Sequence, residues 1–215
     1  SNIQHTANFA SEIPRVLAPI DEVFRAKFDT VADADFSASL DAATLSAPAS
    51  IIGGKLNIGS SGFARWLHAG SAVSSPQGTI RFKWTPDFSG PPVGLATLFV
   101  VRDDSNNSEI AVKVDLSGNI HAVTTTSGSV TTDTNFGLIP ISNSQEIEIE
   151  YDYDFQGGTQ RMFVNGVQIG APSSVTGTLI FLNSNGTRIV VGSDEGSEPI
   201  TGDFDDLQIF ANVQH

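Results

Sequence analysis

Ile200-Thr201-Gly202-Asp203-Phe204-Asp205-Asp206-Leu207-Gln208-Ile209-Phe210 is the stretch whose reading decides the fold. Apolar residues recur at every second position, at Leu207 and Ile209. A period of two is the mark of a half-buried strand, because successive side chains point to opposite faces. A glycine leads into the stretch, and Asp205 and Asp206 follow as a pair. Paired acids on a half-buried strand are costly unless they serve a turn, a cap or a cation.

The same period runs back through the chain. Phe24, Ala26 and Phe28 alternate with Arg25, Lys27 and Asp29. Ile51-Ile52 leads through Gly53-Gly54 to Leu56 and Ile58, a hairpin signal. Thr79 to Trp84 alternates until Pro86 ends it, which places Trp84 with Ile80 and Phe82 on the core face. Leu95 to Val101 is almost continuously apolar, as expected of a central strand covered on both faces. Ile110 to Leu116, Ile147 to Tyr153, Met162-Phe163-Val164 and Ile189 to Val191 complete the pattern. About a dozen strands are expected, with no sustained helical period and no internal repeat. Residues 1–22, interrupted by Pro14 and Pro19, read as a linker or leading edge segment. Residues 23–215 read as one all-β, antiparallel two-sheet β-sandwich.

Composition supports this. The chain has 215 residues with 40% hydrophobic and 16% charged residues, enough apolar content for a sizeable core and too little charge for disorder. Net charge is −13. That argues against nucleic acid and anionic membranes, which are held by Lys and Arg, and suits a neutral glycan, a cation or a basic partner. There are no cysteines, so disulfides, zinc–thiolate sites and cysteine nucleophiles are excluded. A cysteine-free module points to a bacterial, phage or viral source rather than an animal secreted one. No apolar run has membrane-helix length. No signal peptide is visible, and the chain reads as a mature or excised domain.

Three segments resemble the LamG-like jelly-roll domains of the concanavalin A-like lectin/glucanase superfamily. They are Gly78-Thr79-Ile80-Arg81-Phe82-Lys83-Trp84-Thr85-Pro86-Asp87, the pair Asp152-Tyr153-Asp154 with Met162-Phe163-Val164-Asn165-Gly166-Val167, and Gly202 to Phe210. The resemblance spans about residues 24 to 210. It implies a jelly roll whose first and last strands lie side by side, often tied by a calcium. The metal ligands then fall among Asp29, Asp205 and Asp206, with structural Ca2+ as the cofactor; turn capping by Asp205 or Asp206 is the alternative.

Glu146-Ile147-Glu148-Ile149-Glu150-Tyr151-Asp152-Tyr153-Asp154 invites comparison with retaining glycosidases, which place paired carboxylates on one face of a strand. The family's Glu-x-Asp-x-Glu or Glu-x-Asp-x-x-Glu signature is missing, so the run reads as the solvated face of an acidic strand. No Gln-x-His of the related lyases and no Gly-x-Ser-x-Gly appears. No catalytic residues are assigned. A sugar site needs an aromatic face and a few fixed polar groups. Trp66 as a partly exposed platform, with His68, Arg102, Asp103 and Asn106, is the expected set. The expected function is a non-catalytic carbohydrate-binding or receptor-binding domain of a bacterial, phage or viral surface protein. It would be extracellular, would contact a glycan or cell-surface receptor, and would act as an oligomer or as part of a larger protein. A glycan-degrading enzyme of the same fold and a structural assembly domain without ligand are the alternatives.

Overall fold

The computed structural model describes residues 22–37, 42–67, 73, 76–103, 108–181 and 187–215. Among them the chain forms strands only. These are β1 (Glu22–Ala26), β2 (Phe36–Ser37), β3 (Ala43–Ser46), β4 (Ser50–Ile52), β5 (Lys55–Ile58), β6 (Phe63–Leu67), β7 (Gln77–Thr85) and β8 (Ala96–Asp103). They continue with β9 (Ser108–Val114), β10 (Asn119–Thr125), β11 (Thr131–Leu138), β12 (Ile147–Asp154), β13 (Thr159–Val164), β14 (Val167–Ser174), β15 (Thr187–Val191) and β16 (Gly202–Phe210). Residues 1–21 of the expected linker lie outside the described residues.

Two antiparallel sheets face each other. The first has 9 strands, in the order β14-β13-β12-β7-β16-β1-β2, with β5 also on β16 and β4 on β5. The second has 7, in the order β11-β10-β9-β8-β15-β6-β3. The first and last described strands do lie side by side, with Glu22 opposite Phe210 and Ala26 opposite Leu207. Alternation fills the space between the sheets. Phe24, Phe82, Trp84, Ile149, Tyr151, Tyr153, Phe204, Leu207 and Ile209 come from the first; Phe99, Val101, Ile110, Val112 and Ile189 come from the second. Phe82 stacks on Phe99 across the gap, with ring centroids 6.2 Å apart.

Turn chemistry follows the sequence. Gly53 and Gly54 take φ of 60° and 79° between β4 and β5, and Asn165 and Gly166 take 51° and 74° between β13 and β14. Left-handed conformation at both central residues matches the twist of a tight hairpin. The paired acids of β16 sit where the strand changes partner. Gly202–Phe204 pairs with β5, Leu207 onward pairs with β1, and the register against β7 shifts between Asp205 and Gln208. Asp206 takes φ 48° there. Asp205 Oδ1 accepts the Asp206 N–H at 2.8 Å, and Lys83 Nζ reaches Asp206 Oδ2 at 2.5 Å. The pair therefore belongs to a β-bulge, which re-aims the strand between two neighbours.

Candidate functional site

Of the five expected sugar-contacting residues, Trp66, Arg102 and Asp103 are described. Trp66 is fully buried. Its indole Nε1 donates to the Ala32 carbonyl at 2.9 Å, and Phe24 meets it edge-on at 5.5 Å. Its ring is a core element, not an exposed platform. Arg102 and Asp103 are neighbours on β8, so they point to opposite faces. Asp103 is buried and accepts from Thr187 Oγ1 at 2.6 Å. Arg102 lies on the outer face of the 7-stranded sheet. His68 and Asn106 lie outside the described residues.

Arg102 belongs to a paired web. Its guanidinium meets Glu109 at 3.1 Å and Asp194 at 2.5 Å. Arg65 and Arg188 both meet Glu195, at 2.9 and 3.0 Å, and Lys113 meets Glu198 at 2.8 Å. Beneath them Val100, Ala111 and Val190 form a small apolar floor with Phe63 and Val123. Burial pushes Glu195 up, but hydrogen bonds and charge from Arg65 and Arg188 outweigh it and hold its carboxyl low. Burial pushes Glu109 up against the pull of Arg102 and Lys113. These partners clamp the segment between β15 and β16 onto the sheet: Glu198 also takes the Thr97 N–H at 2.8 Å.

The carboxylates expected to hold calcium were tested against the cation's need for six to eight converging oxygens. Asp206 is paired with Lys83, and Asp205 receives its neighbour's amide. Among the described residues no group of three or more His, Asp or Glu is placed to hold a metal. A calcium at Asp29, Asp205 or Asp206 would therefore have to draw most of its oxygens from backbone carbonyls.

The acidic strand differs from its expectation. Ile147, Ile149, Tyr151 and Tyr153 face the core, and Glu146 reaches Lys55 at 2.8 Å near the surface. Glu150 and Asp152, however, are only 5% and 2% exposed, because the segment after β16 lies across them. Burial raises both carboxyls above their ordinary range, against the pull of His215 on both, of Arg81 on Glu150 and of the Thr79 hydroxyl on Asp152.

An open apolar cleft lies at one end of the sandwich, where three loops converge. It has a volume of about 410 Å³ and is lined by Ser60, by Phe88, Ser89 and Pro91 to Val93, and by Pro199, Ile200 and Thr201. The walls are prolines, the half-buried Phe88 and the fully exposed Val93. Its floor is held from below. Trp84 packs 5.9 Å from the Phe88 ring and donates Nε1 to the Thr201 carbonyl at 3.2 Å. Thr201 Oγ1 donates to Asp87, and Ser89 Oγ accepts the Asn143 N–H at 3.0 Å. Apolar walls with a few hydroxyls at loop tips on a rigid frame are the usual make-up of a small-ligand cleft. Its sequence signal is Ser89-Gly90-Pro91-Pro92-Val93-Gly94, an apolar turn with no core position to fill.

No family model and no curated protein sequence matches the chain. Solved structures do share its fold. Domain 4 of AbnA, a GH43 extracellular arabinanase from Geobacillus stearothermophilus solved in complex with arabinotriose, is 16% identical. The match has a TM-score of 0.69 and covers 90% of this chain and 94% of that one. A structure of botulinum neurotoxin type C, described as entering cells through two ganglioside molecules, is 13% identical with a TM-score of 0.69. The binding domain of botulinum neurotoxin DC with SialylT is 12% identical with a TM-score of 0.68. This chain spans about half of those toxin chains, 49% and 48%. At such identities the shared feature is the two-sheet β-sandwich itself.

Proposed function

We propose that this domain is a non-catalytic module that binds a carbohydrate, free or on a cell-surface receptor, and that the end cleft is where it does so. The cleft carries the reading. A sugar ring has one apolar C–H face and a rim of hydroxyls. Phe88, Pro91, Pro92 and Val93 supply a matching apolar wall, and Ser60 and Thr201 supply hydroxyls. The same frame serves an arabinanase domain crystallised with arabinotriose and toxin domains described with gangliosides or a sialylated ligand. Net charge of −13 disfavours sulfated and uronate-rich chains, so a neutral or weakly charged glycan is the ligand. Together with the LamG-like motifs, this supports a domain working outside the cell, with avidity from tandem copies or an oligomer.

The test is binding of the wild type to a panel of neutral and anionic oligosaccharides, arabinan fragments and gangliosides among them. Val93→Asp is the clean variant, because Val93 is fully exposed and supports no packing. Saturable binding to a neutral glycan, weakened at least about tenfold by Val93→Asp, is the expected result. Absence of binding to every glycan would move the reading to a structural assembly domain. A second reading rests on Glu150 and Asp152, two carboxyls that share one face of β12 and that burial shifts toward the protonated form a general acid needs. Reducing-sugar release by the wild type, lost in Glu150→Gln, would establish that reading instead.

A further inference from the structure

The outer face of the 9-stranded sheet holds a second feature, independent of the end cleft. The segment Asn212 to His215 crosses β7, β12 and β13, and the amides of Gln214 and His215 both turn toward Asp152. Its polar groups meet the sheet one after another. Gln77 Nε2 donates to Asn212 Oδ1 at 3.1 Å. The Gln214 N–H donates to Thr79 Oγ1 at 3.1 Å, and Arg161 Nη1 donates to the His215 carbonyl at 2.7 Å. The His215 ring lies on Phe163 with centroids 4.4 Å apart, and its Nε2 stands 2.6 Å from Glu150 Oε1.

Floor and cover are mismatched. The floor is buried and charged: the Glu150 side chain is 7% exposed, Asp152 accepts from the Thr79 hydroxyl, and Arg81 stands 3.7 Å from Glu150. The cover is largely exposed. Buried carboxylates do little for the fold, since desolvation offsets much of what their partners supply. Their placement makes sense as selectivity. Main-chain contacts hold the backbone, while Phe163 and Glu150 read one side chain that is flat and carries a ring nitrogen at its edge.

We propose that this face is a recognition groove for a short peptide of the type Asn-x-x-His, and that residues Asn212–His215 occupy it in cis. The imidazole ring stacks on Phe163, its Nε2 faces Glu150, and the backbone is held by Thr79 and Arg161. A segment of the same chemistry on another chain competes with the cis segment for the groove.

The test uses the full chain carrying His215→Ala, which weakens the cis occupant at an exposed residue and leaves the sheet intact. The probe is a fluorescein-labelled peptide Phe-Ala-Asn-Val-Gln-His, the sequence of residues 210–215. Fluorescence anisotropy is read against the wild type, the His215→Ala variant and the double variant His215→Ala/Glu150→Gln. Tight binding to His215→Ala is expected, with the wild type at least about tenfold weaker because its own segment competes, and the double variant at least about tenfold weaker because the buried carboxylate is gone. A probe ending in Ala should not bind. Failure of His215→Ala to bind the peptide, or equal affinity in the double variant, overturns the proposal. Amide shifts at Thr79 and Phe163 in His215→Ala provide a second readout. If they do not move on adding peptide, any anisotropy signal lies elsewhere and the groove is refuted. Loss of glycan binding at the end cleft would leave this result untouched.

Discussion

Replacing Gly202 by alanine tests how the last strand enters the sandwich. Gly202 takes φ 125°, a region that L side chains rarely adopt. A Cβ there would press on the Thr85 carbonyl oxygen and lie 2.9 Å from Trp84 Nε1 and 3.0 Å from Pro86 Cα. Two of these three are backbone atoms on β7 and its exit, so little can give way. Backbone strain costs about 1–3 kcal/mol. Forcing the extra carbon into a packed site costs about 1–3 kcal/mol more. Alanine also restricts the unfolded chain, which returns about 0.4–1 kcal/mol. The net loss is about 1–6 kcal/mol, with a middle value near 3. At about 2–4 °C per kcal/mol for a chain of this size, Tm falls by about 6–12 °C. Gly53→Ala is the control. Its φ is 60° but nothing lies within 4 Å of the added carbon. It should lose only the left-handed penalty of about 1–2 kcal/mol. Melting is followed by far-UV circular dichroism. If Gly202→Ala melts with or above Gly53→Ala, the close approach at Gly202 is not what sets the strand's position.

Trp66→Phe removes the donor to the Ala32 carbonyl and should cost about 1–3 kcal/mol in a thermal melt, while glycan binding at the end cleft is unchanged below Tm; weakened glycan binding without a stability loss would contradict a core role. Glu150 has a raised carboxyl pKa in the fold, so above about pH 4.5 the folded state keeps a proton that the unfolded chain has released, and stability falls as pH rises through the window up to the folded value. The Tm of Glu150→Gln minus that of the wild type should therefore grow more positive from pH 4.5 upward; a flat or falling difference counts against it. Asp115 behaves oppositely. Hydrogen bonds from Asn119, the Ser117 amide and His121 outweigh burial and hold its carboxyl far below the usual range, so its contribution is present at neutral pH and is lost progressively as pH falls below about 3.9 toward the folded value. Asp115→Asn should lower Tm at pH 7 and much less at pH 2. A calcium held by Asp29, Asp205 or Asp206 should raise Tm when added, lower it when chelated, and lose that shift in Asp205→Asn; an unchanged Tm under calcium and chelator counts against the site.

The sandwich was legible because alternation is local. Ile80, Phe82 and Trp84, or Ile149, Tyr151 and Tyr153, name their own buried face within a few residues, and both sets are core. Turns at Gly53-Gly54 and Asn165-Gly166 were readable for the same reason. Trp66 was not. Its strand carries apolar residues on both parities, Phe63 and Leu67 against Ala64 and Trp66, and the choice of face is made by Phe24 and Phe28 from far upstream. Asp205 and Asp206 read equally as cation ligands or turn formers. Only the switch from β5 to β1 shows that they form a bulge. The burial of Glu150 and Asp152 depends on residues some 60 positions later, which no period in β12 can announce. The end cleft likewise needs three loops to meet, and each of them alone reads as an ordinary turn.

The antiparallel pairing of β1 with β16 has a mechanical meaning. Glu22 and Phe210 are opposite each other, so the chain enters and leaves this ladder at the same end. Tension between the two would load one pair of residues at a time, from Glu22–Phe210 toward Ala26–Leu207, in the manner of a zipper rather than a shear joint. The segment up to His215 would come away first, since it lies outside that ladder. A pulling force, as on a module tethered between two surfaces, would therefore bare the Glu150 face well before the sandwich opened.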